Sequence, residues 1–111
     1  MTFDEYTNEA LKTRNPDLDW QENVLHSLLM LSSEIGEISS TYQKFFFQGH
    51  DIPDPEETAK ECGDVLWALN NLCDLLGYSL EEVAEMNIAK LRKRYGDKFT
   101  AQGSINRIDT N

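Results

Sequence analysis

The stretch VLHSLLMLSSEIGEISSTYQKF, residues 24–45, decides how this chain folds. Its apolar side chains recur at Val24, Leu28, Leu31, Ile35, Ile38, Tyr42 and Phe45, alternating steps of four and three. That spacing belongs to one face of a helix, so the stretch predicts a long helix over about 20–47 with an apolar core stripe. Beside the stripe stand Glu34 and Glu37, three apart and therefore neighbours on the helix surface. A buried, unpaired carboxylate is strongly disfavoured, so acids in such a place face solvent, pair with a cation or bind a metal.

Working outward, Thr2 followed three residues later by Glu5 is a capping box that opens a helix over about 3–14, and Asn15-Pro16-Asp17 breaks it. On the other side, Gly49 and the polar His50-Asp51-Ile52-Pro53 end the long helix. Asp54-Pro55-Glu56-Glu57 then supplies an Asp cap, a proline at the first position and early acids for a helix over about 55–76. This third helix carries Cys62, Val65, Leu69, Leu72 and Leu76 on one stripe and stops at Gly77. A second capping box, Ser79 to Glu82, starts a fourth helix over about 80–95, which Gly96 ends. Residues 100–111 read as a polar tail. The short connections favour antiparallel neighbours, so the expected fold is all-α: one domain over 1–111, a four-helix antiparallel bundle completed by oligomerisation. A chain of 111 residues buries only a modest core alone. A homodimer or a dimer-based homotetramer is therefore expected.

The third helix repeats the acid device. Glu61 and Asp64 in KECGDV are three apart beside an apolar stripe, with Ala68 and Asn71 continuing their face. Two such pairs can meet across a helix interface, where four carboxylates repel unless a divalent cation stands between them. Oxygen-only ligands suit Mg²⁺ or Mn²⁺ rather than zinc. His26 and His50 lie in neither motif, against the Glu-x-x-His pattern of a di-iron bundle. Acids three apart also commonly form a solvated face, and on spacing alone both readings stand. Gly36 and Gly63, one inside each pair, cost about 1 kcal/mol apiece in a helix interior, and a small residue there would let a backbone or ligand approach.

With 10 basic and 20 acidic residues and a net charge of −10, the chain is poorly suited to gripping a nucleic acid polymer. Five of the ten basic residues nevertheless fall together at Lys90, Arg92, Lys93, Arg94 and Lys98, a local positive site that suits a small anion. No apolar run is long enough for a membrane span and none resembles a signal sequence, so the cytoplasm is the expected compartment. Cys62 and Cys73, about 16 Å apart along one helix at 1.5 Å per residue, cannot bridge and are expected as reduced core residues.

The order Glu34-x-x-Glu37, a 23-residue spacer, then Glu61-x-x-Asp64 resembles the signature of the MazG-like nucleoside triphosphate pyrophosphohydrolases, in the all-α NTP pyrophosphatase superfamily. ECGDVLWAL looks like the family's third helix and NIAKLRKRYGDKF like its fourth. The opening MTFDEYTNEALKT and the late SINR resemble compact single-domain members.

The resemblance implies Mg²⁺-dependent hydrolysis between the α- and β-phosphates of a nucleoside triphosphate, with Mn²⁺ as a substitute, releasing a monophosphate and pyrophosphate. It implies that Glu34, Glu37, Glu61 and Asp64 are the catalytic, metal-holding set and that Asn87, Lys90 and Arg94 line the phosphate end. Lys90 and Arg94 would grip the outgoing pyrophosphate as a point charge and a planar fork. Asn87 is either a buried, hydrogen-bonded amide or a contact to sugar or base. Trp20 is either a base-stacking residue or a staple into the core. His26 and Trp67 read as structural, Lys44 and Lys60 as solvated. Phe45-Phe46-Phe47 cannot all face one core and should pack in part against another subunit or over a nucleotide pocket. Two other readings stand beside this one: a narrow-specificity helical dUTPase or dCTPase, and a non-enzymatic helical interaction module.

Overall fold

The computed structural model describes residues 1–107, which form five helices: α1 (Phe3–Leu11), α2 (Trp20–Gln48), α3 (Pro55–Leu75), α4 (Leu80–Tyr95) and α5 (Ala101–Asn106). No strand occurs among the described residues. The start signals work as their chemistry dictates. Thr2 and Ser79 each close a capping box, and the Asp54 side chain accepts from the Glu56 N–H ahead of Pro55. Asp19 closes a third box with Glu22 that fixes where α2 begins. Gly49 ends α2 in the left-handed region at φ 73°, which costs a side-chain-bearing residue more than glycine. Helix α1 is shorter than expected because the chain tightens into i→i+3 bonds, Thr13 N–H to Ala10 and Arg14 N–H to Leu11.

The expected polar tail over 100–111 is corrected in part. Thr100 caps α5 through the Gly103 N–H, and α5 packs on the end of α4. The contact depends on Gly103, where a Cβ would stand 2.5 Å from the Arg94 carbonyl oxygen. Residues 108–111 of that tail lie outside the described residues.

Helices α2 and α3 form the dominant pair, an antiparallel hairpin whose register is fixed by polar ties. The Trp20 indole N–H donates to the Leu75 carbonyl at 2.8 Å, the Asn71 amide to Ser27 Oγ at 2.7 Å, and the Tyr42 and Thr58 hydroxyls meet at 3.3 Å. Position rises along α2 as it falls along α3. Helix α1 crosses α3, with Thr7 donating to Asn70 Oδ1 and the Trp67 indole to Thr13 Oγ1. Helix α4 makes its main contacts with α1, α3 and α5. The chain is all-helical, as expected, and by itself makes an α2–α3 hairpin flanked by α1 and α4.

The inner face also differs from the apolar stripes. Leu28 and Ile35 on α2 are 47% and 52% exposed, Cys62 and Leu76 on α3 are exposed, and the buried α2 residues are Asn23 and Ser27. On α3 the buried residues are Ala68, Asn70, Asn71 and Cys73. Of the two cysteines expected in the core, only Cys73 is there. Intrachain packing thus uses small and amide side chains and leaves much of the leucine and isoleucine surface outside. Asn71 donates across the helices to Ser27, Asn23 donates to the Leu18 and Asp19 carbonyls at the start of its own helix, and Asn70 Nδ2 is buried without a partner among the described residues.

Candidate functional site

The α2–α3 register that pairs Ser27 with Asn71 and Tyr42 with Thr58 carries Glu34 to the level of Glu61 and Asp64. Glu34 is half-buried on the inner face, not beside it as the stripe implied, because that face runs through Ser27, Glu34 and Ile38 at steps of seven and four. Glu61 is half-buried, while Glu37 and Asp64 are exposed. Glu34 senses the charge of the other three acids. Loss of solvent, then the charges of Glu37, Asp64 and Glu61 and a side-chain hydrogen bond with Glu37, push the Glu34 carboxyl above the ordinary carboxylate range. The sequence-predicted set is thus brought into one electrostatic cluster. Among the described residues, however, no three His, Cys, Asp or Glu side chains converge on a common point tightly enough to hold an ion as they stand. The other three acids are near enough to act on Glu34, and the set is still too spread to hold an ion as it stands.

An all-carboxylate donor set with an unrelieved like-charge burden on Glu34 fits a hard divalent cation such as Mg²⁺ or Mn²⁺. None of the ion pairs found among the described residues (Lys12–Glu9, Arg14–Asp74, Lys60–Glu57) neutralises the cluster. Gly36 and Gly63 do not serve a close approach within the chain, since a Cβ at either would meet nothing within 4 Å.

Of the residues expected at the phosphate end, Asn87 and Lys90 are exposed on α4, which removes the buried-amide reading of Asn87. Arg94 is half-buried and stacks over the Tyr95 ring at 5.7 Å. No contact joins these three to the carboxylates among the described residues. Trp20 is more than half exposed; its indole straps α2 to the end of α3 and does not staple into a core. His26, also exposed, meets the half-buried Trp67 edge-on at 6.3 Å. Phe46 and Phe47 lie open at the end of α2.

Two residues that the sequence did not single out, Tyr6 and Arg14, contribute here. Tyr6 on α1 lies close enough to Asp64 for that charge, added to burial, to raise its phenol pKa. Arg14 donates to the Asn71 side chain and carbonyl and pairs with Asp74 at 2.8 Å, while Asn71 in turn holds Ser27. This network bolts α1 to the α2–α3 hairpin along the face that bears the acids. Adjacent amides at 70 and 71 inside an apolar helix were the available clue.

The family model for the MazG nucleotide pyrophosphohydrolase domain matches residues 22–99. That span contains both acid pairs and all of α4. No curated protein and no solved structure matches the chain.

Proposed function

The chain belongs to the MazG nucleotide pyrophosphohydrolase family, and from that premise we propose that it hydrolyses a nucleoside triphosphate to the monophosphate and pyrophosphate in a Mg²⁺-dependent reaction. The observation that carries this reading is the electrostatic cluster of Glu34 with Glu37, Glu61 and Asp64 across the α2–α3 hairpin. These four side chains would supply the oxygens that hold the cation, Mg²⁺ or Mn²⁺. When bound, the ion offsets charge on the phosphates and makes water a better nucleophile. An acid of the four takes the proton of the attacking water, and the member least engaged with the cation is the better base, because tight coordination lowers basicity. Lys90 and Arg94 hold the leaving pyrophosphate, and the exposed Asn87 and Trp20 are open to sugar and base.

The same reading includes assembly as a homodimer or dimer-based homotetramer, supported by the exposed apolar stripes of α2 and α3. A pyrophosphate-release screen across the eight common triphosphates, with and without Mg²⁺, tests the activity. Release is expected only with the metal, and Lys90→Ala and Arg94→Ala should each lower turnover on the order of tenfold, the loss of one charge-assisted contact. No pyrophosphate from any substrate would overturn the proposal. Turnover confined to dUTP or dCTP would select the narrow-specificity form of it.

A further inference from the structure

Polar ties set how α1 lies on the hairpin. The Trp67 indole donates to the Ala10 carbonyl and to Thr13 Oγ1, and Arg14 reaches Asn71 and Asp74 further along α3. Position therefore rises together on α1 and α3. One turn back from Ala10 stands Tyr6, and one turn back from Trp67 stands Asp64, so the two arrive at the same level. Helix α2 meets them there. Asn71 is tied to Ser27, and seven residues from each, in opposite directions along the chain, lie Asp64 and Glu34. Thr7, the residue after Tyr6, is engaged with Asn70, about 100° around α3 from the line that holds Asp64 and Asn71. Tyr6 takes the Asp64 side, half-buried, and the charge of Asp64 acts on its phenol.

We infer that the Tyr6 hydroxyl is a substrate contact of this site, donating a hydrogen bond to a phosphate oxygen of the nucleoside triphosphate. Glu34, Glu37, Glu61 and Asp64 only accept hydrogen bonds once ionised, so none of them can hold an anionic oxygen directly. A phenol keeps its proton near neutral pH and has one O–H to give. Lys90 and Arg94 come from α4, and Tyr6 adds a donor from α1 next to the acids themselves. The inference rests on the function proposed above. It extends the binding surface to α1, which the family match over residues 22–99 leaves out.

Titrating the full chain in Mg²⁺ with α,β-methylene triphosphates of the common bases, which cannot be cleaved between those phosphates, reads the contact without turnover. Tyr6→Phe deletes the hydroxyl alone. It should weaken analogue binding on the order of tenfold, the scale of one hydrogen bond to a charged group, and leave the melting temperature and the Mg²⁺-induced thermal shift at their wild-type values. Inorganic triphosphate, which has no sugar or base, should lose affinity to the same extent. Thr7→Val breaks the tie to Asn70 and should do the opposite, lowering the melting temperature while analogue binding stays level. Equal binding by Tyr6→Phe and wild type overturns the inference, and so does an equal loss in Thr7→Val. A Tyr6→Phe protein that melts lower or has lost the Mg²⁺ shift also overturns it, because the hydroxyl would then hold the fold or the cation. A loss seen with the nucleotide analogues but not with inorganic triphosphate places the hydroxyl on sugar or base and overturns the phosphate contact. Wild type that releases no pyrophosphate, yet binds an analogue that Tyr6→Phe binds less well, overturns the proposed activity and keeps the contact. Wild type that binds no analogue overturns both.

Discussion

Asp64 concentrates what is at stake in the acid cluster. It is exposed, yet its charge raises the pKa of both Glu34 across the hairpin and Tyr6 on α1. Asp64→Asn removes that charge at nearly constant shape. In metal-free protein the melting temperature should therefore stay level or rise, while Mg²⁺-dependent pyrophosphate release is largely lost and the Mg²⁺-induced thermal shift shrinks. The pH dependence has a definite sign. Because the folded-state pKa of Glu34 is raised, its ionisation disfavours the fold, a cost absent below the ordinary carboxylate range and growing as pH climbs through the raised value. The stabilising effect of Asp64→Asn should accordingly vanish in acid and be complete at neutral pH. Melts of both proteins at acid and neutral pH, with and without Mg²⁺, read this directly. A mutant that keeps full activity and the full magnesium shift removes Asp64 from the site.

At the scale of the element, helix starts and stops were written in the sequence because capping is local: Thr2 with Glu5, Asp54 with Pro55 and Ser79 with Glu82 need only their own backbone. The acid motifs were legible for a similar reason, as spacing on one helix fixes a face. Which face turns inward was not. Periodicity marks Leu28 and Ile35 as a stripe without saying what covers it, and the intrachain face is set instead by Ser27, Asn71 and Arg14, whose pairing joins residues 44 and 57 positions apart. Helix α5 escaped because six residues carry no period and its seat depends on Gly103 meeting the Arg94 carbonyl. Since α1 is held to α3 by polar ties, Arg14→Ala should destabilise the fold by about 2 kcal/mol, an estimate discounted for the partial exposure of Arg14. That corresponds to roughly 8 °C in Tm for a domain of this size. Arg14→Lys should recover part of the loss through Asp74 and none of the fork to Asn71. Thermal melts giving no difference between Arg14→Ala and wild type would show the network to be dispensable.

Taken whole, the molecule is wider than a self-sufficient domain: its radius of gyration is 17.2 Å, against about 13 Å for a compact chain of this length. Among the described residues the buried apolar set is small, Ala10, Ala68, Cys73 and Leu80, while Leu25, Leu28, Leu29 and Ile35 lie open along α2. A long helix that turns amides and an acid inward and leucines outward presents an apolar surface of the kind that marks an interaction site. A second copy is the economical cover, because the same stripe is then buried on both sides at once. Leu25→Glu with Leu28→Glu tests this without touching the acid cluster. Burying a leucine contributes about 1.5–3 kcal/mol, so a dimer that loses four gives up on the order of 6 kcal/mol or more. Each 1.4 kcal/mol is about tenfold in the dissociation constant, and a micromolar assembly would not survive that change. Sedimentation should show the double mutant as a smaller species than wild type while circular dichroism keeps its helical signal, since neither side chain is buried within the chain. An unchanged sedimentation coefficient would place these leucines outside any interface, and the open α2 face would then need another explanation.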